Sequence, residues 1–162
     1  METPLTTPYK QSPTPITADI YLPSPPSTPS SCPVRQLPHI PCIITQTDTQ
    51  TTVLNIHGGA FMLGDSRMIS IPQVTDCLSR GWIVVVPTHR LCPQVDIRDR
   101  PLCDVRNCLE WVYDGDGLEG FLQSTPGLEG YRGDRERVMA FGTSSGGMLA
   151  LGLVSLSTKR VS

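Results

Sequence analysis

A serine set between glycines at fixed spacing can attack a carbonyl carbon, and residues 142–146 read Gly142-Thr143-Ser144-Ser145-Gly146. The apolar run Val138-Met139-Ala140-Phe141 precedes this pentapeptide and Gly147-Met148-Leu149-Ala150-Leu151 follows it, so a strand, a tight turn and a helix meet at Ser144. A strand that reverses straight into a helix forces the serine into a strained backbone conformation, which small flanking residues permit. Acyl transfer also needs N–H donors aimed at the place where negative charge develops on oxygen. His57-Gly58-Gly59-Ala60-Phe61 follows an apolar stretch ending at Ile56, and its small side chains let backbone N–H groups approach a substrate.

Both segments must be held by the elements around them. Ser70–Ser79 carries Ile71, Val74 and Leu78 at helical spacing, with Pro72 tolerable in the first turn and Gly81 as a stop. Trp82-Ile83-Val84-Val85-Val86 is a continuous β-branched run, as expected for a strand covered on both faces. Leu102, Val105, Leu109 and Val112 predict a second amphipathic helix over Leu102–Tyr113, and the glycine-rich stretch Gly115–Gly133 reads as a loop before the strand Val138–Phe141. Upstream, Cys42–Thr45 and Thr52–Ile56 read as two strands separated by a polar turn. The first 41 residues hold 11 of the 16 prolines, so residues 1–41 are expected as an extended arm preceding a folded domain over 42–162. Within the arm, Ile16–Leu22 alternates apolar and polar residues and suits a short, half-buried edge strand. The alternation of strand and helix predicts an α/β fold with a mostly parallel sheet and flanking helices.

The pentapeptide and the His-Gly-Gly segment together resemble the α/β-hydrolase fold, specifically the esterases and lipases related to hormone-sensitive lipase. Thr88-His89-Arg90-Leu91-Cys92-Pro93 is similar to that family's Tyr-Arg-Leu-Ala-Pro segment, with His89 where the family usually has Tyr. Asp104–Trp111 is similar to its Asp-containing helix ending in Trp, and Ile16–Pro23 to its first strand. Gly58 and Ser144 lie 86 residues apart with a strand-helix-strand-helix-strand series between them, as that fold demands. The resemblance implies a carboxylic-ester hydrolase acting on a small-molecule ester through an acyl-enzyme at Ser144. It also implies an oxyanion hole from the N–H groups of Gly59, Ala60 and Ser145, with Gly58 shaping the loop. His57 is then a structural residue that orients the loop, Gly142 and Gly146 shape the turn, and Arg90 with Asp104 forms a structural ion pair at a helix start.

The composition excludes other classes. Net charge is −2 and the basic residues are scattered among acidic ones, which speaks against nucleic acid as a partner. The polar start Met1-Glu2-Thr3-Pro4 lacks the form of a signal peptide, and the longest apolar stretches, near Trp82–Val86 and Leu149–Leu156, are too short to span a bilayer. A cytoplasmic location is the expectation. Cys32, Cys42, Cys77, Cys92, Cys103 and Cys108 show no paired spacing and read as free thiols, with neither a metal nor a cofactor implied. Residues 142–147 lack both the Gly-x-Gly-x-x-Gly spacing and the lysine of a nucleotide loop.

In the resembled family an Asp or Glu and then a His follow the serine. Here the 18 residues after Ser144 contain neither, and Lys159 and Arg160 are the only ionisable side chains there. Without a base the serine hydroxyl stays protonated at neutral pH. The expectation is an incomplete α/β-hydrolase fold, inactive or weak alone, whose base comes from a C-terminal half or a partner chain that also covers the exposed sheet edge. The alternative, from a different class, is a non-catalytic interaction or acyl-binding remnant that keeps the oxyanion loop without turnover.

Overall fold

The computed structural model describes residues 3–11, 14–24, 49–93, 96–97 and 100–157. In chain order these form β1 (Leu5–Lys10), β2 (Ile16–Tyr21), β3 (Gln50–Ile56), α1 (Ile71–Ser79), β4 (Ile83–Pro87), α2 (Pro101–Tyr113), a kinked helical turn (Gly115–Glu119), α3 (Gly120–Ser124), β5 (Gly133–Gly142) and α4 (Ser145–Ser157). The strand expected at Cys42–Thr45 and residues 25–41 of the expected arm lie outside the described residues. The strands make one sheet in the order β1-β2-β4-β3-β5. β4, β3 and β5 run parallel, joined by helical crossovers, while β2 pairs antiparallel with both β1 and β4. The fold is therefore α/β with a mixed sheet, parallel where strand and helix alternate.

The β-branched run of β4 is buried throughout because both its faces are covered. Ile83 and Val85 join Leu54, Ile56, Val105, Cys108, Val112, Leu149 and Leu153 in the core beneath α2 and α4. Val84 and Val86 point the other way, packing with Val74 and Cys77 of α1 and with Tyr21. The α1 face is only partly filled: an open groove lined by Pro72, Gln73, Asp76, Cys77, Trp82 and Phe141 runs beside it. At the other end of the chain, α4 turns Met148, Leu151 and Val154 outward, and Met139 of β5 is exposed beside them in sequence.

Two expectations need correction. Ile16–Tyr21 forms a strand, but not at the sheet edge, because Leu5–Lys10 adds a strand outside it. The signal in β1 is alternation, with Thr7 and Tyr9 buried, and Pro8 hides it. Proline is tolerated there because an outermost strand can spare a ladder donor, and the pairing is irregular between Pro8 and Lys10. Nor is Gly115–Gly133 simply a loop. Its first ten residues form helical turns with a kink at Gly117, capped by the Asp114 side chain accepting from the Asp116 N–H, and Leu118 and Leu122, four apart, are both fully buried. The glycine content masked that pair. β5 also begins earlier than Val138, since Thr51 pairs with Asp134 and Thr52 with Val138, which leaves Arg135, Glu136 and Arg137 as an exposed bulge.

Leu54 is wholly buried between the sheet and its helices. Leu54→Ala should cost about 2–5 kcal/mol in a urea unfolding titration, and a loss under about 1 kcal/mol would contradict the packing described.

Candidate active site

β3 and β5 end side by side, with Ile56 paired to Gly142, and both loops of interest leave from these ends. Ser144 follows β5 in the left-handed region at φ 53, exposed, one residue before α4 begins. The turn is closed by Gly146 N–H donating to Thr143 O at 2.9 Å and Gly147 N–H to Ser144 O at 3.0 Å. Its tightness comes from backbone crowding. A Cβ on Gly146 would lie 2.2 Å from the Ile56 carbonyl oxygen, and one on Gly142 would lie 2.6 Å from the same atom. Strand ends, turn and helix start are thus pressed together to a degree that only glycine allows.

The other loop, from His57 onward, folds back on itself in a left-handed run: Gly59 has φ 120, Ala60 φ 52 and Phe61 φ 63. The N–H groups of Met62 and Leu63 close it by donating to Gly59 O at 3.0 and 3.1 Å, and Cys92 N–H donates to Phe61 O at 2.7 Å. Gly58 brings the two loops into contact, since a Cβ there would meet Thr143 O at 2.8 Å and Ser144 Cβ at 3.3 Å. Among the described residues the N–H groups of Gly59, Ala60 and Ser145 donate to no backbone carbonyl. Met62, Leu63 and Met68 expose apolar side chains on and just after this loop.

Beneath the loop lies an arrangement that the sequence reading only half anticipates. His57 is buried, and its Nδ1–H donates to Gly58 O at 2.8 Å, consistent with an orienting residue. Its ring stacks on that of His89, with centroids 4.3 Å apart. Nothing in the spacing of two histidines on different loops reveals this stack. Burial first, and then the neighbouring His57, hold His89 below the ordinary imidazole value.

The expected ion pair of Arg90 and Asp104 is present. Asp104, fully buried in the first turn of α2, accepts from Arg90 Nε at 2.8 Å, from Arg90 Nη2, and from the Arg90 backbone N–H at 3.1 Å. Lys10 Nζ of β1 stands 3.7 Å from the same carboxylate. The Asp104 hydrogen bond raises the Arg90 guanidinium further above its usual value. Through adjacent Arg90, this cluster holds the segment that carries His89.

Neither ring of the stack engages Ser144: their Nδ1 atoms bond to Gly58 O and Arg90 O, and both Nε2 atoms are buried without a partner. Among the described residues no three His, Cys, Asp or Glu side chains are grouped to hold a metal ion, and Cys77, Cys92, Cys103 and Cys108 form no disulfide. No helix of the described residues is long and apolar enough to cross a membrane.

A left-handed serine at a strand–helix turn, touching a glycine loop at the end of the neighbouring parallel strand, belongs to the α/β-hydrolase fold of esterases. The hyperthermophilic esterase from Pyrobaculum calidifontis superposes with a TM-score of 0.67 at 20% identity, over 99% of this chain and 40% of that one. Esterase Est2 of Thermogutta terrifontis does so with a TM-score of 0.62 at 19% identity, over 91% of this chain and 42% of that one. These likenesses are of fold, and the chain spans less than half the length of either enzyme. In sequence it is 29% identical over 136 residues to the non-reducing polyketide synthase Preu3 of Preussia isomera, which covers 84% of this chain and 4% of that protein. The chain belongs to the BD-FAE family of α/β-hydrolase-type esterase domains, whose profile matches residues 42–161.

Two substitutions test the geometry. Gly146→Ala must displace backbone rather than a flexible side chain, so it should destabilise the fold by about 1–3 kcal/mol in chemical denaturation, whereas a neutral effect would mean the junction is looser than described. Arg90→Ala leaves the buried Asp104 carboxylate with the backbone N–H of residue 90 and Lys10 but without the guanidinium, and a loss of about 3–5 kcal/mol by the same measurement is expected.

Proposed function

We propose that this chain supplies the nucleophile and the oxyanion hole of a serine carboxylic-ester hydrolase. Ser144 attacks the acyl carbon, and the N–H groups of Gly59, Ala60 and Ser145 hold the oxyanion of the tetrahedral intermediate. Collapse expels the alcohol and leaves an acyl-enzyme that water hydrolyses. The observation that carries this reading is the contact at Gly58, which sets the loop with unengaged N–H groups directly against the strained, exposed Ser144.

The base and its orienting carboxylate come from a segment outside the described residues, in a longer chain or a partner. Three features support this: His57 and His89 are committed elsewhere, β5 has no strand on its outer side among the described residues, and the outward row of α4 is apolar. The substrate is a small ester whose acyl or alcohol group lies along Met62, Leu63 and Met68. The likeness to a segment of a polyketide synthase makes polyketide-derived esters the first substrates to try.

Fluorophosphonate labelling of the native protein in an extract of its own cells, with mapping of the modified residue, tests this reading. Label should fall on Ser144 and vanish in Ser144→Ala, with ester turnover falling on the order of a million-fold where it can be measured. Absence of label in the native protein would favour the non-catalytic acyl-binding remnant.

A further inference from the structure

His57 and His89 are buried imidazoles to which the proposed reaction assigns no proton transfer. Their rings lie 5° from parallel with centroids 4.3 Å apart. Each places its Nδ1–H on a carbonyl one residue ahead, His57 on Gly58 O at 2.8 Å and His89 on Arg90 O at 3.3 Å. With the proton assigned to Nδ1 by those bonds, each Nε2 carries a lone pair, and both Nε2 atoms are enclosed without a hydrogen-bond partner. A second proton on either ring must go to Nε2. On His89 it would set a buried cation face to face with the other imidazole, a cost that the nearby His57 backbone offsets only in part.

We propose that His89 is a positioning residue for the oxyanion loop, acting through its stack on His57, and that the stack holds the loop in its closed turn only while His89 is neutral. Acid then opens the loop by placing a buried charge against the face of the other ring. The loop's shape is the claim, and its catalytic consequence alone rests on the function proposed above.

The surrounding charges leave this control to the two rings. On the loop side Asp65 faces His57, but Arg67 holds its carboxyl down to about 2, so it stays ionised through the range concerned. From α2, Asp104 faces His89 and is already paired with Arg90 and Lys10. Asp19 of β2 reaches Arg67 and accepts from Thr6 Oγ1 at 2.6 Å. Tyr9 of β1 donates its hydroxyl to Thr88 O, and burial raises its pKa so that it stays neutral. Because His89 is held below the ordinary value of about 6.5 in the closed form, the open form binds the proton first. Closure is therefore fully favoured above that value and weakens as pH falls toward the lowered one.

NMR on the intact chain reads both halves of this claim between about pH 7.5 and about pH 5. The rings are followed by their imidazole shifts and the loop by amide protection factors of Met62, Leu63 and Cys92, corrected for intrinsic exchange. The expected result is a fall of about tenfold or more in these three as His89 titrates below 6.5, with Val53 and Leu54 of β3 unchanged. His89→Tyr, whose ring stacks but stays uncharged in this range, should retain protection at neutral pH and lose much of the acid dependence. His89→Ala should lower protection already at neutral pH. Constant protection while His89 titrates, or an undiminished acid dependence in His89→Tyr, would overturn the proposal. If His89→Ala does not fold, the parent chain and His89→Tyr decide between these outcomes. None of these readouts requires esterase turnover, so failure of the labelling experiment leaves them intact.

Discussion

The carbonyl oxygen of Ile56 is crowded from two sides by backbone that has no room for a side chain, at Gly142 as β5 ends and at Gly146 as α4 begins. Much of the site's geometry depends on that crowding. Because β3 and β5 are paired in parallel up to Ile56 and Gly142, their ends are fixed at one height, and the loops they release emerge together. One loop is then driven into a helix within three residues, which leaves Ser144 in the left-handed region and out in solvent. The other turns back over His57 and meets it at Gly58. A side chain at any of these glycines would push apart two segments whose chemistry requires contact.

A strained junction of this kind needs rigid surroundings, because left-handed non-glycine residues such as Ala60, Phe61 and Ser144 each cost on the order of 1–3 kcal/mol. The sheet supplies part of the support through β4, whose side chains are packed above and below. The rest comes from a line of polar contacts: Asp104 on α2 grips Arg90, the adjacent His89 stacks on His57, and His57 donates to the carbonyl of Gly58. Charge, stacking and hydrogen bonding thus link a helix start on one face of the sheet to the loop at its end. Lys10 and Tyr9 tie β1 into the same line, so the first strand also braces the site.

How much of this could be read beforehand varied with the kind of interaction. Turn and packing signals were local and therefore legible: the glycines around Ser144, the β-branched run of β4, and the 3.6-residue spacing of Leu102, Val105, Leu109 and Val112 each specify an element within a short window. The Arg90–Asp104 pair was accessible through the likeness of its two segments to known ones. The stack of His57 on His89 was not, because it depends on the mutual placement of two loops 32 residues apart in sequence, which no local pattern encodes. Proline and glycine content misled in opposite ways. Pro8 concealed the outer strand that an edge can accommodate, and the glycines of 115–133 concealed a short helix whose burial rests on Leu118 and Leu122.

The two borders of the sheet are unlike. On β1, Pro8 and the irregular pairing beside it interrupt the ladder and blunt that border against further strands, whereas β5 presents its outer side with Met139 exposed. Polymerisation by strand addition needs two receptive borders on every unit, and among the described residues this sheet leaves one. Two copies meeting through β5 would turn their β1 borders outward and stop there, a closed pair related by a two-fold axis. The proline that hid the first strand from view is thus also a terminator of fibre growth.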